Sequence, residues 1–131
     1  MAFIQFAVVF ALLASLGLTQ AELKNTGGHQ IIDGNCTDIS RSDRVYFHQV
    51  DKMAFPFFIR SETDTYYGDR SISCIMAINE KDISTGGTVI ITSGGVGHSY
   101  VTMQFKSYRS HGLDFSVSVY SNTEAYFNDN P

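Results

Sequence analysis

SYVTMQFKSYRSHGLDFSVSVY, residues 99–120, sets two alternating runs on either side of a polar link. In the first run Val101, Met103 and Phe105 alternate with Thr102, Gln104 and Lys106. In the second, Leu113, Phe115, Val117 and Val119 alternate with Asp114, Ser116, Ser118 and Tyr120. Successive side chains of a strand point to opposite faces, so this period-two pattern means strands with one buried and one solvated face. Such strands build antiparallel sheets. The polar link 106–112 reads as a hairpin loop.

Working upstream, GGTVIITSGG (86–95) is a short apolar run bracketed by glycine pairs, and the following GGVG (94–97) reads as a turn. A phosphate cradle needs a helix after the glycines, and here a strand follows. In SISCIMAIN (71–79) period two puts Ile72, Cys74, Met76 and Ile78 on one face and turns Cys74 inward. RVYFHQV (44–50) and MAFPFFIRS (53–61) are aromatic, β-branched runs separated by Asp51 and Lys52. Pro56 has no N–H to give a ladder, which makes the second run an edge or bulged strand. A short edge strand is expected at 30–32. No window after the N-terminus has helical periodicity. The fold class is therefore all-β: an antiparallel β-sandwich or a small β-barrel of about six to eight strands. Two stacked sheets would bury the Phe115 row against residues such as Phe47 and Ile72.

The chain has 131 residues and a formal net charge of −4. Residues 6–18 carry no charge and are mostly aliphatic or aromatic. That run is too short for a spanning helix, which needs about 20 residues. It ends in Thr19-Gln20-Ala21, with small side chains where signal peptidase reads. Residues 1–21 are thus expected to be a secretory signal peptide and 22–131 a single β domain. The competing reading is an uncleaved anchor or a buried helix. No second run is long enough to cross a bilayer, so no membrane partner is expected after cleavage. The charges are mixed along the chain without a Lys/Arg stripe, which argues against direct nucleic-acid binding.

Cys36 and Cys74 are the two cysteines. In an oxidising secretory route such a pair most simply forms one disulfide. Asn35-Cys36-Thr37 is an N-x-Thr sequon, so Asn35 is a glycosylation candidate, although oxidation of Cys36 competes with access to it.

The segment from Thr85 to Tyr120 is similar to the signature of an insect family named after the second multiprotein bridging factor of the silkworm, many of whose members are salivary secreted peptides. The matching pieces are the strand 101–106, then Ser107, Arg109, His111-Gly112, and Asp114-Phe115 leading into the alternating strand. The family pattern has Gln where this chain has Tyr108, and a glycine where it has Ser121. The resemblance implies two roles that conflict. One is a secreted protein of saliva, haemolymph or venom. The other is a transcriptional co-activator bridging a DNA-bound regulator and the general machinery. A chain sorted into the secretory route does not meet a promoter, so the secreted, extracellular role leads and the co-activator is the alternative.

Reactive chemistry has little support in the residues. His29, His48, His98 and His111 show no short ligand spacing of the kind zinc sites use, so no metal or other cofactor is expected. Ser93-Gly94-Gly95 is not a nucleophile elbow, and Ser110-His111 with Asp114 has the residue types of a triad but so does any polar loop. The chain is expected not to be an enzyme. Arg109, His111 and Asp114 remain candidate partner-loop residues. They either bind a protein partner or hold the corner together, with Asp114 accepting from Arg109 or from loop amides and Gly112 taking a positive φ. The oligomeric expectation is a monomer or a weak dimer through an uncovered edge.

Overall fold

The computed structural model describes residues 26–37 and 42–122. The expected signal peptide lies outside the described residues. Eight strands follow in chain order: β1 (Gly27–Gly28), β2 (Ile31–Gly34), β3 (Ser42–Lys52), β4 (Ser61–Tyr67), β5 (Ile72–Asn79), β6 (Thr88–Gly94), β7 (Tyr100–Lys106) and β8 (Leu113–Asn122). They form two four-stranded antiparallel sheets, β1-β6-β7-β4 and β2-β5-β8-β3. The protein is an all-β sandwich. From β3 to β6 each connection crosses between sheets. The β6–β7 link is a hairpin through 95–99, as the glycines there suggest.

The two alternating runs are β7 and β8, but they lie in different sheets. Their link is therefore a crossing over the end of the sandwich, not a hairpin. Both apolar rows face one core, from opposite layers. Phe105 and Phe115 are fully buried and meet with ring centroids 4.9 Å apart, planes tilted by 59°. Val101, Met103, Val89 and Ile91 line the first sheet, and Val50, Ile75, Ala77, Leu113, Val117 and Val119 the second. Ile72 is buried as expected, whereas Phe47 points outward under the Arg44 guanidinium, 4.9 Å from its ring centroid. Phe115 packs on Phe105 instead.

β5 corrects a second expectation. Its register with β8 shifts between Ile72 and Cys74, so Ser73 is an extra residue. A bulge of one residue inverts the phase beyond it. Ile75 and Ala77 then enter the core, and Met76 and Ile78 turn to the outer face. Cys74 is buried and shares the face of Met76. There it is bonded to Cys36, with Cα atoms 5.2 Å apart. Gly34, the ladder partner of Cys74, has φ 92°, and a Cβ there would lie 2.2 Å from the Ser73 carbonyl oxygen. Only glycine allows the chain to pass so close to β5 on its way into the disulfide.

The run 53–60 is not a strand. It is the loop carrying the chain from β3 in one sheet to β4 in the other. Pro56 offers no donor, and Phe57 stands at φ 72°, outside any strand conformation. The strand at this edge is β4, Ser61–Tyr67, whose core-side residues are Glu62, Asp64 and Tyr66, partners of Phe105, Met103 and Val101.

Candidate functional site

Two features stand out from the apolar core: a polar seam between the edge strands β3 and β4, and the loop 53–60. The seam follows from register. Pairing with the inner row of β8 sets Tyr46, His48, Val50 and Lys52 on the core side of β3. Pairing with β7 sets Glu62, Asp64 and Tyr66 on the core side of β4. The two rows meet where the sandwich is open. Tyr46 Oη donates to Asp64 Oδ1 at 2.5 Å, and the Tyr46 and Tyr66 rings lie 5.3 Å apart. Glu62 lies 3.5 Å from both His48 Nε2 and Lys52 Nζ. Asp64 is buried, and its Oδ2 has no hydrogen-bond partner.

Burial, the hydrogen bond to Asp64 and the negative charges of Asp64 and Glu62 together push the Tyr46 phenol well above its ordinary value. A phenol so held stays protonated and donates; it is not a base or a nucleophile near neutral pH. Inward charges on edge strands also discourage pairing with another sheet. The seam is therefore read as edge protection, with a testable signature. The unfolded chain ionises this tyrosine near 10.0 and the folded chain only at higher pH. Its contribution is intact below pH 10 and is lost as pH rises through the folded value. Urea midpoints measured into alkali should fall more steeply for the native protein than for Tyr46→Phe. Parallel curves would reject it.

The second feature is the loop. Met53, Phe55, Phe57, Phe58 and Ile59 are all exposed, Met53 by 77% and Phe57 by 78%. So many large apolar groups in one stretch are not ordinary surface. The loop is tied down by the 107–112 crossing. Ser107 N donates to Arg60 O at 2.7 Å and Arg60 N to Ser107 Oγ at 2.7 Å. Phe57 N donates to Ser110 Oγ at 2.8 Å and Ser110 N to Phe58 O at 2.9 Å. Arg109 Nη1 donates to Phe57 O at 3.1 Å. Arg60 Nη1 reaches Met53 O at 3.1 Å, and its guanidinium lies 4.6 Å from the Phe55 ring centroid.

Two residues of this clamp, Phe57 and Ser110, are the non-glycine positions with positive φ among the described residues, 72° and 68°. Such conformations cost about 1–3 kcal/mol each and persist where surrounding bonds over-determine them. Here the two strained residues bond each other. Replacing Ser107 and Ser110 with alanine should speed amide hydrogen exchange at Arg60 and Phe57 by about fivefold each, the equivalent of one hydrogen bond of about 1 kcal/mol. Unchanged exchange at those amides would mean that the hydroxyls do not hold the loop.

The residues singled out from sequence now have places. Arg109 holds the loop by its guanidinium. Asp114 does not accept from it: Asp114, the second residue of β8, stands on the outer face and its Oδ1 accepts from Gln49 Nε2 at 2.6 Å. The expected Arg109–Asp114 network is absent because Arg109 reaches across to 57 instead. His111 contributes its backbone N–H to Tyr108 O at 3.0 Å. Gly112 does not take a positive φ. A Cβ there would lie 2.2 Å from Lys52 O and 3.0 Å from Ala54 N, so its use is to let the two loops touch. Asn35 is exposed beside the disulfide, with Thr37 Oγ1 donating to its Oδ1 at 3.3 Å. The loop itself was missed because its apolar residues read as strand. The signal that would have found it is an apolar run that does not alternate and carries proline at its centre.

Comparison with known proteins agrees with the resemblance seen in the sequence. A curated protein of Bombus ignitus named "Probable salivary secreted peptide" is 40% identical over 50 residues, which span 38% of this chain and 37% of that protein. No solved structure matches the chain. The model of the family described as "Transcription activator MBF2" matches residues 37–121, a stretch that holds most of the sandwich and both halves of the clamp. This chain belongs to that family.

Proposed function

We propose that this protein is a small extracellular β-sandwich that works by binding and not by catalysis, and that loop 53–60 is its recognition surface. The observation that carries the reading is the clamp. Strained backbone and five cross-loop hydrogen bonds hold Phe57 and Phe58 out in solvent. Apolar groups held rigid in this way lose little entropy on binding, which favours affinity. The extracellular placement draws support from the Cys36–Cys74 disulfide, since such bonds persist in oxidising compartments, and from the salivary peptide relative.

The test uses the mature chain as bait against saliva, haemolymph and the cell surfaces they bathe, beside the double variant Phe57→Ser/Phe58→Ser. Both positions are exposed, so the variant should melt like the parent. Capture that depends on the two phenylalanines is the expected result. Equal capture by both baits would remove the loop from the account.

The second reading is the co-activator, favoured by the family's name. It requires a reduced chain in the nucleus that contacts a DNA-bound regulator and not DNA itself, given the net charge of −4.

A further inference from the structure

The two clamped segments, 52–60 and 105–113, contain four of the nine basic side chains, Lys52, Arg60, Lys106 and Arg109, together with His111. They contain none of the thirteen acidic ones. In a chain of net charge −4 this is a local reversal of sign. Of these cations, Arg60 and Arg109 lie against the loop that carries the five exposed apolar side chains described above. Of the carboxylates that flank these segments, Glu62 and Asp114 have partners of their own. Glu62 faces Lys52 and His48 in the seam, and Asp114 accepts from Gln49 on the outer face of the second sheet, opposite Asp51.

Resting on the reading of this loop as a recognition surface, we propose that its occupant is the surface of an anionic lipid bilayer. The geometry matches what such a surface asks for. Met53 and Phe57 are more than three-quarters exposed, so they protrude and do not line a groove. Phenylalanine and methionine that protrude can enter the boundary between headgroups and acyl chains. The Arg60 guanidinium lies over Phe55, and Arg109 bonds the Phe57 carbonyl, so both cations sit at the base of the apolar tip. Cations at that depth meet the phosphates and carboxylates of anionic headgroups. Binding to such a surface scales with the apolar area buried plus the attraction of cations to anionic lipid, and the loop offers both. The expectation of no membrane contact rested on the lack of a second spanning run, and insertion of a loop tip needs none.

The experiment is co-sedimentation of the mature, disulfide-bonded chain with vesicles of phosphatidylcholine alone and of phosphatidylcholine mixed with phosphatidylserine. The native protein should sediment with the mixed vesicles and be released as salt is raised. Phe57→Ser/Phe58→Ser should bind at least about tenfold more weakly. Lys106→Glu, whose side chain makes none of the clamp's bonds, should bind about fivefold more weakly or worse. Melting curves of both variants confirm that they are folded. A native protein that stays in the supernatant with both vesicles, or a double variant that sediments as well as the parent, overturns the proposal. Absence of vesicle binding with loop-dependent capture of a soluble protein by the bait overturns the lipid assignment and leaves the recognition loop standing. Absence of both overturns the two together.

Discussion

Truncating Phe105 to alanine is expected to destabilise the protein by about 3–5 kcal/mol, enough to consume much of the stability of a domain this size. The ring is fully buried between the two layers and meets the Phe115 ring at 4.9 Å. In its own sheet Phe105 is flanked by Val89 on β6 and Glu62 on β4, while Phe115 is flanked by Val50 and Asn79 in the other. The contact between the rings is thus a bond between layers and not between neighbouring strands. Phe115→Ala should cost a similar amount. The double variant should cost less than the two singles added, by a coupling of about 0.5–1.5 kcal/mol beyond the loss of buried area. Urea unfolding of the four proteins at one pH measures it. Additive losses would mean that the rings do not share the interface between layers.

Removing the disulfide, by Cys36→Ser with Cys74→Ser, is expected to cost about 4 kcal/mol. The bond closes a separation of 38 residues, for which the chain-entropy account gives a value of that size. It also stands at a weak place. β2 has four residues and lies at the edge of its sheet, and the disulfide follows directly on its last ladder pair, Gly34 with Cys74. Without it, the N-terminal strand is held by a short ladder and by Asn35 N donating to Ser73 O at 2.8 Å. For a domain of this size the loss corresponds to a fall in Tm of roughly 15–30 °C. Calorimetry of the native and serine forms is the measurement. A fall of only a degree or two would show that the bond closes a loop the fold has already closed.

What the sequence made legible was the alternation of β7 and β8, and with it the all-β class, the one-face burial and the sandwich as one of two architectures. The pairing of Cys36 with Cys74 was legible for a chemical reason, since the chain offers those two thiols and no others. What stayed hidden has particular causes. The link 106–112 joins two inward rows, and a hairpin and a crossing over the core both satisfy that pattern; only the pairing of β7 with β4 and β6 decides between them. The bulge at Ser73 leaves no mark in residue type yet inverts every side chain after it in β5. β4 escaped notice because its inner row is Glu62, Asp64 and Tyr66, acidic and phenolic where an apolar row would announce a strand. The inverse error fell on 53–60, where aromatic residues that suit a strand serve a loop. Both errors sit at the same open side of the sandwich, and both arise where residues depart from simple burial. Arg109 was recognised as the residue of interest in its loop, but its partner, the Phe57 carbonyl, lies 52 residues away in sequence and no local spacing points to it.

Whether the protein meets its target outside the cell is tested directly by one measurement. The full-length chain, tagged at its C-terminus, is expressed in insect cells, and medium and nuclei are analysed by mass spectrometry without reduction. The expected result is a chain in the medium that begins at Glu22 and contains a peptide pair joined through Cys36 and Cys74. An uncleaved chain in the nucleus with both thiols free would contradict it and hand the protein to the co-activator reading.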